Sequence, residues 1–234
     1  AVAVLSLGMY MVLSTITRTN SRFSKIGFSV LSVLLMVNVA VILASSLQRL
    51  TLYEDAYGFS QLRTYTHVFI YWLAALIIAV VVLEILRRRG HLAFALLIAV
   101  VGFGASLAVL NVDGFIVKRN VQRAVAGEAL DVAYLNALSA DAVPQLIASY
   151  ADSETPEDVQ EKLGAALACR AKVTNDPASL PWQEYNFSQA RSYNLLQENK
   201  AQWSDFRPYT SFNKWFIRVE GEEIPSSGFN DFMD

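Results

Sequence analysis

Four stretches of the chain stay apolar on every helical face for about the length needed to cross a bilayer. They cover residues 1–16, 26–47, 68–86 and 92–110, against a requirement of roughly 20 apolar residues. Hydrocarbon offers no water to a backbone, so such stretches are expected to be helices that satisfy their own hydrogen bonds. The first is short and opens the chain as Ala-Val-Ala-Val, with no charged leader and no small-residue cleavage site. The expectation is a longer protein with further membrane helices upstream. Between the second and third spans, residues 48–67 mix aromatics with charges. Tyr53, Tyr57 and Tyr65 suit an interfacial belt. Leu52, Tyr53, Ala56, Phe59 and Leu62 recur at near-helical spacing, which predicts a helix lying on the membrane surface.

After residue 110 the apolar positions thin out and become periodic. Residues 111–123 turn the chain out of the membrane, and a helix over 131–138 presents Leu130, Tyr134, Leu135 and Leu138 on one side. Ser139 or Asp141 can cap the next helix, with Pro144 in its first turn. Thr155-Pro-Glu-Asp reads as a helix start, with a capping hydroxyl and acids at the positive dipole end. Val159, Leu163, Ala166, Leu167 and Arg170 then trace one stripe, and a last helix is expected over 181–202. From 203 to 234 aromatics alternate with Gly, Pro and Ser without a sustained period, as in an extended arm that needs another surface to order it.

These readings define an all-α fold: a transmembrane bundle over 1–110, a helical extramembrane domain over 111–202 and an extended arm over 203–234. Composition agrees, with 54% hydrophobic residues and a mean hydropathy of +0.34. Charge is divided between the halves. Residues 1–110 hold three acids (Glu54, Asp55, Glu84) against eight Lys or Arg, while 111–234 hold eighteen acids against eleven bases. No basic run suggests nucleic acid. The loops carrying Arg18, Arg22 and Lys25, and Arg87, Arg88 and Arg89, contain no acid. The positive-inside rule places them in the cytoplasm and the C-terminal half outside it.

The inventory of chemistry is short. The single Cys169 forms no internal disulfide, zinc site or redox pair and reads as a small apolar helix position. Asn38 lies mid-way in the second span, where an interhelical hydrogen bond is the simplest role. Glu84 is within a turn of Arg87 and Arg88 and can pair with either, and the Gly102–Gly104 stretch permits close helix packing. His67 and His91 begin antiparallel spans at opposite faces and cannot share a haem; an interfacial hydrogen bond is the plainer role for His67, with a single axial ligand as the alternative. GxSxG, HExxH, Walker and GxGxxG sequences are absent, so no catalytic set, metal site or cofactor is assigned.

What remains is a polar group on the face shared with the tail: Glu54, Asp55 and Arg63 from the loop, and Asn111, Asp113, Asn120 and Arg123 after the fourth span. Pairs such as Arg63 with Asp113, or Glu54 with Arg123, would fasten the tail to the membrane half. The alternative is a binding or catalytic pocket built from the same carboxylates.

Three ordered motifs carry a resemblance. Tyr53-Glu-Asp-Ala-Tyr-Gly-Phe-Ser-Gln-Leu-Arg63, Asn111-Val-Asp-Gly-Phe-Ile-Val-Lys-Arg-Asn120 and Leu130-Asp-Val-Ala-Tyr-Leu-Asn-Ala-Leu-Ser-Ala-Asp-Ala-Val-Pro144 resemble a family of bacterial multi-pass membrane proteins. That family is catalogued as a domain of unknown function, number forty-one seventy-three. Trp182, Asn186, Arg191 and Leu195 resemble its closing helix, so the likeness covers about residues 45–200. It implies a bacterial cell membrane and supplies no activity.

The leading functional expectation is an accessory, scaffolding or sensory subunit without catalysis of its own. It would lie in the lipid bilayer beside other membrane subunits, with no nucleic acid and no identifiable small-molecule substrate. Trp203, Phe206, Tyr209, Phe212, Trp215 and Phe216 would make the arm a partner-binding element, since aromatics commonly anchor interfaces. The alternative is a membrane enzyme or transporter for a lipid-linked or envelope substrate, with Glu54, Asp55 and Asp113 as an acidic centre.

Overall fold

A computed structural model describes residues 2–17, 22–179, 181–211, 214–219 and 221–225. Arg18 of the first basic loop and Phe212 of the arm lie outside the described residues. The chain divides into two compact units, Ala1–Leu110 and Asn111–Asp234.

The first unit is a bundle of four helices: α1 (Val2–Ile16), α2 (Arg22–Tyr57), α3 (Gln61–Ile85) and α4 (Leu92–Val109). Among the described residues α2, α3 and α4 are long and apolar enough to cross a membrane, while α1 is apolar but has 15 residues. The expected surface helix is instead continuous with the second span. With 36 residues, α2 extends roughly 54 Å at 1.5 Å per residue, well beyond a hydrocarbon core of about 30 Å. It ends where Gly58 takes a φ of 78°, a conformation that suits glycine. Arg63 reaches back from α3 to donate to the Gly58 carbonyl, which pins the short turn between the helices.

Packing explains which faces the spans bury. Ser32, Met36, Val39 and Leu43 recur three and four residues apart on α2 and are buried. Met36, Val39 and Leu43 join Tyr10 of α1 and Ile70, Leu73, Ile77 and Val80 of α3 in one apolar core. The α3–α4 contact depends on a small residue. Trp72 lies against Gly102, where an added Cβ would come within 2.1 Å of the ring, and Nε1–H of the same ring donates to Ser106 Oγ at 2.9 Å. Gly102 thus allows the close packing expected of the Gly-Phe-Gly stretch, whereas a Cβ on Gly104 meets nothing within 4 Å. Asn38 departs from expectation: its amide donates to Leu34 of its own helix at 2.9 Å, and its side chain is exposed on the bundle.

The second unit is built around α8 (Glu157–Val173), with α5 (Val112–Val125), α6 (Val132–Ala137), α7 (Val143–Tyr150) and α9 (Phe187–Glu198). Residues 163–170 of α8 are all buried, which accounts for the run of Gly, Ala and Cys there: neighbours crowd every face. At Gly164, ring atoms of Phe206 and Tyr150 would lie within 3 Å of an added Cβ. Thr155 does not cap α8. Its hydroxyl donates to the Ser149 carbonyl at 2.9 Å, and Pro156 holds the N-cap position. The sequence also under-read residues 112–125, which form the amphipathic α5 with Asn111 as its cap.

The described residues of the arm pack within the same unit. The strands β1 (Tyr209–Ser211), β2 (Lys214–Val219) and β3 (Glu222–Pro225) form a three-stranded antiparallel sheet in the order β1-β2-β3. Register places Tyr209 opposite Phe216 and Arg218 opposite Glu223. Ile217 and Val219 of β2 are buried, Lys172 of α8 stands over the Trp215 ring at 5.9 Å, and Trp203 is 2% exposed.

Candidate functional site

Buried charge is the informative feature of both units, because an ionised group out of water must be paired or hydrogen-bonded. In the membrane unit, Glu54 near the end of α2 places Oε1 3.0 Å from Nδ1 of His67 on α3. The His67 ring also stacks on Tyr71, with centroids 6.0 Å apart. His67 therefore serves as a hydrogen-bonding histidine on Glu54, thirteen residues away in sequence. Glu84, 2% exposed, accepts a 2.6 Å hydrogen bond from the Tyr10 hydroxyl. Asp55 is exposed on α2, and Arg63 sits 5.9 Å from the Tyr57 ring centroid.

The remaining residues of the expected polar group belong to the second unit and have local roles there. Asn111 accepts from Gly114 N–H at 2.8 Å and donates to the Asp141 carbonyl at 2.8 Å. Asp113, which unlike Asn111 is buried, accepts from Ser139 N–H at 2.8 Å. Together they tie the first turn of α5 to the connection between α6 and α7. Asn120 is half-buried on α5, and Arg123 lies 3.6 Å from Glu128.

Arg170 is the site residue whose importance sequence reading missed. It appeared only as one member of the α8 stripe, yet its guanidinium is 7% exposed and holds the end of α6 together. Nη2 donates to the carbonyls of Leu135 at 2.9 Å and Leu138 at 2.5 Å, and Nη1 to that of Ser139 at 3.1 Å. Helix ends leave carbonyls without intrahelical partners, and a planar fork of donors is well shaped to collect them. Burial pushes the guanidinium down to about 10, with the Asp113 charge acting in the opposite direction, so it remains charged at neutral pH. Burial likewise pushes the neighbouring Cys169 thiol up to about 12. The signal in the sequence was a lone arginine among small apolar residues on a helix face.

Beside Arg170 lies a cleft of about 680 Å³, bounded by the ends of α6 and α8, by α9 and by the turn Trp182–Glu184. Amide and hydroxyl side chains dominate its walls, among them Ser139, Thr174, Asn175, Gln189 and Ser192, with Glu184 as the one acid among the described residues. The same volume class holds many small-molecule sites. Among the described residues no group of three or more His, Cys, Asp or Glu is placed to hold a metal ion.

Apolar helices of spanning length, bundled through an apolar core and joined by short turns, define a multi-pass helical membrane protein. The chain belongs to the family described as Domain of unknown function (DUF4153), whose model matches residues 1–149. The match takes in all three sequence motifs; the family carries the number 4153, and Trp182 and Arg191 lie beyond the matched span. No curated protein and no solved structure matches.

Proposed function

We propose that this protein is a non-catalytic accessory subunit of a membrane assembly, which docks a partner's helix against the exposed face of α2. The observation that carries the reading is Asn38. It lies seven residues before Ser45, two turns along the same face, and both side chains are exposed on the bundle and bonded back to their own helix. An asparagine amide has more hydrogen-bonding positions than the single bond to Leu34 uses. Small and polar side chains on a lipid-exposed face are what interhelical contacts are made from, each such hydrogen bond contributing about 1 kcal/mol. Around them Leu31, Leu34, Val41 and Ile42 offer an apolar surface that a second helix could cover. The basic loops favour a cytoplasmic face opposite the C-terminal half, which would then meet its partners outside the cytoplasm.

The test is purification from native membranes in mild detergent, followed by native mass spectrometry. A stoichiometric membrane partner that is lost from Asn38→Leu but kept by Ile78→Leu supports the reading. A lone protein in the wild type, or an unchanged partner in Asn38→Leu, would sink it.

A further inference from the structure

We propose that the cleft beside Arg170 is a binding site for a neutral oligosaccharide. Three features of its walls select the ligand class. The first is charge. Arg170 already faces four backbone carbonyls and the Asp113 charge, and Glu184 also lines the cleft. That balance offers an anion no uncommitted cation, and it gives an apolar ligand too many polar groups to desolvate.

The second feature is hydrogen-bonding capacity. The Thr174 hydroxyl donates to the Arg170 carbonyl at 2.8 Å, so its oxygen can accept from a ligand. The Asn186 side-chain oxygen accepts from Ser188 N–H at 2.9 Å, so its amide nitrogen can donate to one. Asn175 and Gln189 each supply both kinds of group. Vicinal hydroxyls both donate and accept at short spacing, which fits this mixture better than a carboxylate, which only accepts.

The third feature is aromatic. The segment that contributes Glu184 and Asn186 to the wall also exposes Trp182, Tyr185 and Phe187, at 82%, 57% and 76%. Three large exposed aromatics within six residues are unusual on a surface with no role. A sugar ring presents an apolar C–H face as well as hydroxyls, and exposed aromatics in a segment that also supplies amide-rich cleft wall suit both.

The experiment uses the full chain in a detergent without a sugar headgroup. The probe is the β-1,4-linked trimer of N-acetylglucosamine, with cellotriose and a trimer of galacturonic acid beside it. Saturation-transfer NMR and calorimetry are expected to show saturable binding of a neutral trimer. Trp182→Ala and Gln189→Ala, both at exposed positions, are expected to weaken it about tenfold with melting unchanged. Absence of saturable binding by either neutral trimer overturns the proposal. So does binding that survives both substitutions, or preference for the acidic trimer, which would assign the cleft to anions.

Discussion

The Glu54 carboxylate meets the His67 imidazole at 3.0 Å across the turn that joins α2 to α3, and only 3% of Glu54 is exposed. The pair holds a buried acid at the point where two long spans reverse direction. Removing the imidazole takes a hydrogen-bond partner from a carboxylate that stays buried, at a cost of about 1–3 kcal/mol. His67→Ala should therefore lower the unfolding free energy in mixed micelles by that amount, and Glu54→Gln by less. A double-mutant cycle is expected to return a coupling above about 0.5 kcal/mol. Strictly additive effects would show that the contact adds nothing to the turn.

Arg170 makes a sharper case, because its donors close one helix end from the middle of another. A lysine keeps the charge but replaces the planar fork by a single ammonium, which cannot reach the carbonyls of Leu135, Leu138 and Ser139 together. Arg170→Lys is expected to destabilise the extramembrane unit by about 3 kcal/mol, in the range for breaking a buried charged contact. Urea unfolding followed by near-ultraviolet dichroism reads this out. A change below about 0.5 kcal/mol would mean that water or a neighbour already satisfies those carbonyls.

Much of the architecture was legible because lipid imposes a simple rule. Apolar runs of spanning length must be helices, and three such runs are helices of the expected type. The ends were harder to read. The charges and tyrosines near Tyr53 and Tyr57 suggested a break after residue 47, but nothing in that segment stops a helix until Gly58. In the second unit α5 was hidden because its apolar residues share the segment with Lys118, Arg119 and Arg123, which resembled a stop signal at the membrane. The arm looked irregular because each of its strands is only three to six residues long, too short for an alternating pattern to stand out. Individual site residues were legible by type and not by partner. Glu54, His67, Asn111 and Asp113 were all singled out, yet the sequence could not show that Glu54 takes His67 or that Asp113 takes Ser139.

Cys169 gives a prediction whose sign follows from burial alone. With the thiol pushed up to about 12, only about one molecule in ten thousand is thiolate at pH 8, and thiolate is the reactive form. Iodoacetamide at pH 8 should leave the folded protein unmodified and alkylate it promptly in urea, as intact mass would show. Rapid modification under native conditions would mean that α8 opens far more often than its packing implies. Cys169→Ala should cost about 1 kcal/mol or less, since it removes one buried atom of modest size.

The contact between Gly102 and Trp72 reverses an ordinary expectation about glycine. In an exposed helix interior, Gly→Ala is favourable by about 1 kcal/mol. At Gly102 the new Cβ would fall 2.1–2.5 Å from three atoms of the Trp72 ring, so the ring must move. Moving it also strains the 2.9 Å hydrogen bond from its Nε1 to Ser106. Gly102→Ala is therefore expected to destabilise the bundle by about 1–3 kcal/mol, the usual range for overpacking. Gly104 lies two residues away with nothing within 4 Å of its own added Cβ, and Gly104→Ala should be neutral or stabilising. Steric relief provides the decisive comparison: Trp72→Phe shortens the ring, so adding it to Gly102→Ala should recover part of the loss. Unfolding in mixed micelles, read for all three variants, would show the pattern directly. Equal effects at Gly102 and Gly104 would mean that helix propensity, rather than the Trp72 contact, decides what these glycines do.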